Sequence, residues 1–406
     1  MKLRNFMYAT MIACAFASCS KDDVVGPDGP DTAKGNANFT VVVKTPQVTK
    51  AVDTDNDGDE EAGVLTKTGE DVIKSLTLVV FDASGNYLAS GAAKINNDVA
   101  ENTVNVLGLA PQAVSFRLLA NMPDIDVTTL KLADIDNQVV AIPATGFTRN
   151  YTTGLPMSSE TKTITLAEGD NYYGYASEVA GANNQSVGTA VALVRNVSRV
   201  DLADVTINMD YSNFTSGKVS FQFSEVSVQS ALNKVSVAGA AVAGAEYWSG
   251  VATTGAKAFY KETPAEALAA TTYDFTTSTG AKNVEHVSAY FYVLANTANA
   301  TDAANSTKLV IKGHMALTNA IDKETGAAVN LERDGFYPIT IGYTNNAANG
   351  DVANLSDGLT NNKVYKIKLI VAGLGKVTID GGDPANFFVQ CAVQEWAKVD
   401  QSAIIK

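Results

Sequence analysis

A chain of 406 residues has room for two domains of ordinary size. With 46% hydrophobic and 18% charged residues it can bury cores, which excludes a disordered polymer. Its net charge of −13 speaks against nucleic acid and anionic membrane surfaces as partners, since either needs a basic patch.

Lys2 and Arg4 precede an apolar stretch from Phe6 to Ala17, too short to cross a bilayer and laid out as a secretory signal peptide over residues 1–18. The stretch ends in Phe16-Ala17-Ser18-Cys19, which resembles a bacterial lipobox, so Cys19 is expected to become the acylated first mature residue. Met11-Ile12-Ala13-Cys14 is a rival site that leaves a very short apolar core, and an unlipidated Cys19 beside an ordinary cleavage site is the plainer alternative. The third cysteine, Cys391, stands alone, so the mature chain relies on packed cores and not on disulfides.

From Val24 to Gly35 the chain is rich in Gly, Pro and Asp and reads as a tether. Beyond it, period-two alternation between turn residues predicts β-strands. Phe39, Val41 and Val43 lie in a first β-branched run. Strands are then expected around Leu76 to Phe81, followed by an Asp82–Asn86 turn, around Val104 to Val106, and around Val114 to Leu118. Val219, Phe221 and Phe223 alternate before the pattern shifts to Val226 and Val228, which predicts a bulge. Further strands are expected at 287–294, 309–312, 336–341 and 364–371, and at the tail from Phe387 onward. Helical signals are short: a capping box at Thr263-Pro264-Ala265-Glu266 leading into Ala267 to Ala270, and a turn or two at Leu130 to Ile135. The fold class is therefore all-β with few short helices, as two tandem sandwiches over 51–190 and 191–406 that join near Gly181 to Thr189.

Catalytic constellations do not emerge. His286 and His314 fall in predicted strands with no carboxylate, His or Cys at metal-ligand spacing, and Cys391 reads as a small strand hydrophobe. Gly373-Leu374-Gly375-Lys376 lacks the spacing and the helix of a phosphate loop and reads as a hairpin turn. Asp53, Asp55 and Asp57 with Gly58 match the start of a calcium loop, but Val64 stands where a bidentate Glu is needed. A solvated acidic loop is the favoured reading, and no metal or other cofactor is expected.

Lys50-Ala51, at the edge of that acidic segment, is a credible site for a trypsin-like protease, and cutting there detaches the first strand from the rest of the chain. The tail, residues 387–406, carries Phe387, Val389, Cys391, Val393 and Val399 on one parity and Phe388, Ala392 and Trp396 on the other. Apolar on both faces, it is expected to be buried on both, and a final core strand of the second domain is the plain alternative.

Taken in order, Phe39-Thr40-Val41-Val42-Val43, Leu119-Ala120-Asn121, Asn171-Tyr172-Tyr173-Gly174-Tyr175, Phe291-Tyr292-Val293-Leu294, Tyr365-Lys366-Ile367-Lys368-Leu369 and Val389-Gln390-Cys391-Ala392-Val393-Gln394-Glu395-Trp396 resemble the major fimbrial subunits (fimbrillins) of Bacteroidetes type V pili. Ser20-Lys21-Asp22-Asp23 is similar to the surface-export signal of Bacteroidetes lipoproteins. The resemblance implies transthyretin-like sandwiches and a precursor anchored by lipid to the outer membrane. It also implies removal of residues 19–50 with the first strand by a trypsin-like protease, and assembly with other subunits by strand exchange through the tail. Lys50 stands where that family carries Arg, so a protease restricted to Arg would fail. The resemblance favours a shaft subunit supporting adhesion to a host or bacterial surface ligand, with a tip or accessory subunit left open. The rival class is a monomeric glycan-binding or adhesin lipoprotein, for which Tyr172, Tyr173 and Tyr175 could supply an aromatic platform. An enzyme is not expected.

Overall fold

Alternating apolar residues become strands almost wherever the computed structural model describes the chain, namely at residues 35–44, 70, 72–93, 95, 101–122, 125–141, 154–175, 177–189, 191–207, 213–248, 261–262, 271–274, 282–284, 289–300, 305–341, 343–346, 351–354, 358–371, 373 and 387–395. The architecture is all-β and sandwich-like, with short 3-10 turns at Val127–Thr129, Leu132–Asn137 and Thr297–Ala300. The expected turn at Leu130 to Ile135 is thus present in 3-10 form. The capping box at Thr263, the acidic loop of Asp53, Asp55 and Asp57, His286, and Cys19, Lys50, Ala51, Trp396 and Val399 lie outside the described residues.

Residues 37–195 supply two sheets. One has the order Asn183–Gln185, Gly169–Tyr173, Ala37–Lys44, Glu101–Leu109. The other runs Leu193–Arg195, Met157–Ser159, Ala113–Ala120, Leu76–Asp82, Tyr87–Ala93, with Lys162–Thr165 also paired to Ala113–Ala120. Their inner faces meet: Phe39 of the first sheet stands edge-on to Phe116 of the second, ring centres 5.2 Å apart, and Tyr173 does the same at 5.0 Å. Such edge-to-face contacts add to the burial of the rings themselves. At one side of this sandwich the Asn183 and Gln185 side chains bond the Thr165 carbonyl, which ties the two sheets at their margins.

Residues 198–395 supply two larger sheets. The strand Ser198–Ile207 runs parallel to Lys363–Val371, which pairs antiparallel with Phe387–Glu395. In the other, Phe214–Gln229, Lys308–Asp322 and Ala328–Thr340 form long antiparallel neighbours. The register shifts between Phe223 and Glu225, where the sequence pattern slips. The last two strands run far beyond the apolar segments that announce them, through outer halves that are mostly exposed or half-buried and mix polar with apolar residues.

A short pairing of Val139–Ala141 with Lys234–Ser236 links these parts, as do the bonds Val237 N–H to Gln138 O at 2.8 Å and Asn196 Nδ2 to Val237 O at 3.0 Å. Deeper, the buried Arg199 guanidinium grips the Glu70 carboxylate at 2.9 and 3.0 Å and Asp201 at 2.8 Å, while the Tyr292 hydroxyl donates to Glu70. Burial works against the Arg199 charge, but Asp201 and Glu70 outweigh it and raise its pKa further. The buried Glu70 carboxylate is tolerable there because it is bonded to that cation and to Tyr292, and the part-buried Asp201 shares the same cation.

Candidate functional site

The first strand, Ala37–Lys44, is the centre of interest because of where its sequence places it. Ala37, Phe39 and Val41 point into the core, each fully buried, as period-two alternation requires. Val42, on the opposite parity, is also buried but belongs to neither core cluster. The strand therefore has two covered faces, which suits its near-continuous apolar sequence. Val43 lies in the strand, and its side chain is outside the described residues.

Within its sheet the strand has a neighbour on each side. The strand is internal, antiparallel to Glu101–Leu109 (Phe39 opposite Val106, Val41 opposite Val104) and parallel to Gly169–Tyr173 (Phe39 opposite Asn171). Taking it away leaves a slot with an unpaired row of N–H and C=O groups on both sides, floored by Phe116.

Side chains fasten the strand at its beginning. The buried Asn171 donates Nδ2 to the carbonyls of Asn38, Ala167 and Gly169 and accepts at Oδ1 from the Ala167 amide and Asn183 Nδ2, at 2.8 to 3.1 Å. Asn38 in turn donates Nδ2 to Asp170 at 2.9 Å and accepts from the Gly108 amide at 3.4 Å. Just ahead, Gly35 donates to the Gly108 carbonyl, and a Cβ there would lie 1.9 Å from the Leu109 carbonyl oxygen, so only glycine passes. Asn171 was visible in sequence only as part of an aromatic run; an Asn amid strand aromatics is a signal for a buried anchor.

The tail strand Phe387–Glu395 pairs along its whole length with Lys363–Val371, from Phe387 opposite Val371 to Glu395 opposite Lys363, and touches Tyr343–Asn346 at one point, Val389 opposite Asn345. Phe387, Val389, Cys391 and Val393 thus sit in a sheet of their own chain, where the plain alternative placed them.

The tyrosines offer no free platform. Tyr172 is 8% exposed and meets Tyr175 edge-on at 4.7 Å, while Tyr173 packs on Phe116. His314 corrects the sequence reading, because neighbouring strands bring carboxylates that linear spacing hides: Nδ1 lies 2.9 Å from Asp334 and Nε2 lies 3.0 Å from Glu332. The two carboxylates sit on opposite ring nitrogens, so the arrangement favours the charged form of the ring and engages both nitrogens. The Asp334 hydrogen bond leads in raising the His314 pKa, aided by Glu332 and opposed by burial. Among the described residues, no group of three or more His, Cys, Asp or Glu side chains could hold a metal ion.

With this geometry in view, the family described as major fimbrial subunit protein (FimA) matches residues 37–195, a span that opens on the first strand. The chain is 25% identical to the major fimbrium subunit FimA type-4 of Porphyromonas gingivalis (strain ATCC BAA-308 / W83), over 99% of this chain and 100% of that one. It is 27% identical to the FimA type-5 subunit of Porphyromonas gingivalis, over 100% of both. The chain is similar along its whole length to the major fimbrial subunits. The solved fimbrilin from Porphyromonas gingivalis W83 superposes with a TM-score of 0.60 at 20% identity, covering 89% of this chain and 98% of that one. A solved protein from Parabacteroides distasonis ATCC 8503 gives 0.61 at 20% identity, covering 89% and 99%. At such identity the structures speak for the fold, and the fold they share with this chain is the β-sandwich.

Proposed function

We propose that the chain is a structural subunit of surface fimbriae that support adhesion. It is exported as a precursor lipidated on Cys19 and held at the outer membrane. A trypsin-like protease cuts between Lys50 and Ala51, and the subunits polymerise by exchange of β-strands. Residues 51–190 and 191–406 serve as the two sandwich domains of the mature subunit, with Leu193–Arg195 reaching back to complete a sheet of the first, and the tail, including Trp396 and Val399, is the donor.

The observation that supports this reading most is the placement of Ala37–Lys44. It is an internal strand of a sheet, yet in the chain it is followed by the segment that carries Lys50, so one cut frees it from everything after it. Glu70, locked to Arg199, marks where the retained body is already anchored. The vacated slot offers hydrogen-bonding partners on both sides and apolar pockets for alternate side chains, the requirements of strand addition. Filling it with about five apolar side chains contributes a gross ~8–15 kcal/mol at about 1.5–3 kcal/mol each. Association and ordering offset several kcal/mol of that. While the first strand stays in place it acts as a plug against premature assembly.

The test treats the purified uncut protein, which still carries Lys50, with a Lys-specific protease and runs it on an unheated denaturing gel. A ladder that disappears when residues 387–406 are deleted is expected. Cleavage at Lys50 with no ladder under assembly conditions would instead favour the monomeric surface binder.

A further inference from the structure

We propose that the donor tail of a second copy enters the slot in the register of the departed strand and in the same direction, Ala385 to Cys391 taking the places of Ala37 to Val43. The inference rests on the strand-exchange reading and specifies which residues of the partner fill which positions. The sequence repeats itself at the two places: Ala37-Asn38-Phe39-Thr40-Val41 and Ala385-Asn386-Phe387-Phe388-Val389 are identical at four of five positions.

Each shared residue has a task in the slot. Ala37 is fully buried at the head of the strand, where a larger side chain would displace the core. Asn38 bridges the Asp170 carboxylate and the Gly108 amide while its carbonyl takes the Asn171 amide, so Asn386 inherits a donor, an acceptor and a main-chain partner already in place. Phe39 stands edge-on to Phe116, a contact Phe387 repeats. Val41 is fully buried opposite Val104, which Val389 matches in shape. Cys391, a small hydrophobe, then falls at the position of Val43. The half-exposed Thr40 gives way to Phe388, which places a large ring on the outer face of the fibre or against a neighbouring subunit.

The likeness also has a boundary. Pro384 and Asp383 stand where Asn36 and Gly35 do. Because the Gly35 position admits no Cβ, the donor must turn out of the slot ahead of Ala385. Pro384 and the glycines Gly381 and Gly382 suit such a turn.

The register sets the test. Thr40 lies opposite Asn105, so Phe388 of the partner copy would too, and directly opposed antiparallel positions come close enough for a disulfide, whereas positions two residues away do not. After removal of residues up to Lys50 the remaining thiol is Cys391, which Cys391→Val clears. In that background, Asn105→Cys with Phe388→Cys is expected to give an oxidised ladder that survives boiling, at least tenfold more than Asn105→Cys with Gln390→Cys. A reversible ladder that locks only through the Gln390→Cys pair, or through neither, overturns the register while leaving strand exchange standing. Absence of any ladder in the Cys391→Val parent overturns both. As a second readout, Asn386→Ala is expected to slow ladder formation about tenfold with the thermal midpoint of the monomer unchanged. An unchanged rate contradicts the proposed role of Asn386.

Discussion

The side-chain amide of Asn171 donates to the main-chain carbonyl of Asn38 at 3.1 Å, across 133 residues of sequence. A buried amide that satisfies several carbonyls at once fixes the position of the first strand along its neighbours, since a slip would leave it unpaired. Asn171→Ala should lower the stability of the uncut protein by about 1–3 kcal/mol, because its part-buried hydrogen bonds to three carbonyls are lost. Chemical denaturation of the two forms measures it, and equal midpoints would show that Asn171 does not anchor the strand.

Gly35 separates the two states of the protein. Gly35→Ala puts a Cβ 1.9 Å from the Leu109 carbonyl oxygen and should destabilise the uncut form by about 1–3 kcal/mol through backbone displacement. Once residues up to Lys50 have been removed the substituted residue is gone. Comparing thermal midpoints of both variants before and after cleavage checks this, with a difference expected only before.

Arg199 and Glu70 form a buried pair, at 1% and 0% side-chain exposure. Arg199→Met leaves Glu70 charged without its main partner and should cost about 3–5 kcal/mol. Adding Glu70→Gln should recover part of that loss, and a double-mutant cycle gives the coupling. Simple additivity would contradict a direct ion pair.

His314 gives a pH dependence of definite sign. Its folded pKa lies above the ordinary 6.5 because Asp334, and then Glu332, bond the charged ring. The stabilisation is therefore complete below that ordinary value and fades as pH rises through the raised one. Asp334 behaves oppositely: Lys312, then His314, hold its pKa below the usual 3.8, so its share persists until acid protonates it. His314→Gln should accordingly lower the unfolding midpoint at pH 5 and leave it nearly unchanged at pH 9. The effect is small because the side chain is 35% exposed.

Much of the architecture was legible where alternation is strict. The strands at Leu76–Asp82 and Ala113–Ala120, and the slip after Phe223, carry a buried face that period two announces. The long outer halves of Lys308–Asp322 and Ala328–Thr340 were not, since their mostly exposed mixture of polar and apolar residues carries no regular alternation. The parallel pairing of Ala37–Val41 with Gly169–Tyr173, the grip of Arg199 on Glu70 and the carboxylates around His314 escaped for one reason. Each joins residues distant in sequence, and local spacing records nothing of which strands become neighbours. The β-branched run Phe39–Val43 announces a strand; that it is covered on two faces and lies inside a sheet needed the structure.

Amide hydrogen exchange along Glu101–Leu109 and Gly169–Tyr173 follows the occupancy of the slot itself. In the uncut protein the amides of both strands that bond Ala37–Lys44 should be protected. They should lose protection when the protein is cut after Lys50 and lacks residues 387–406, and regain it in the polymer of full-length mature subunits. Amides that stay protected in the cut, tailless monomer, or stay exposed in the polymer, would mean that no neighbour's strand takes the vacated place.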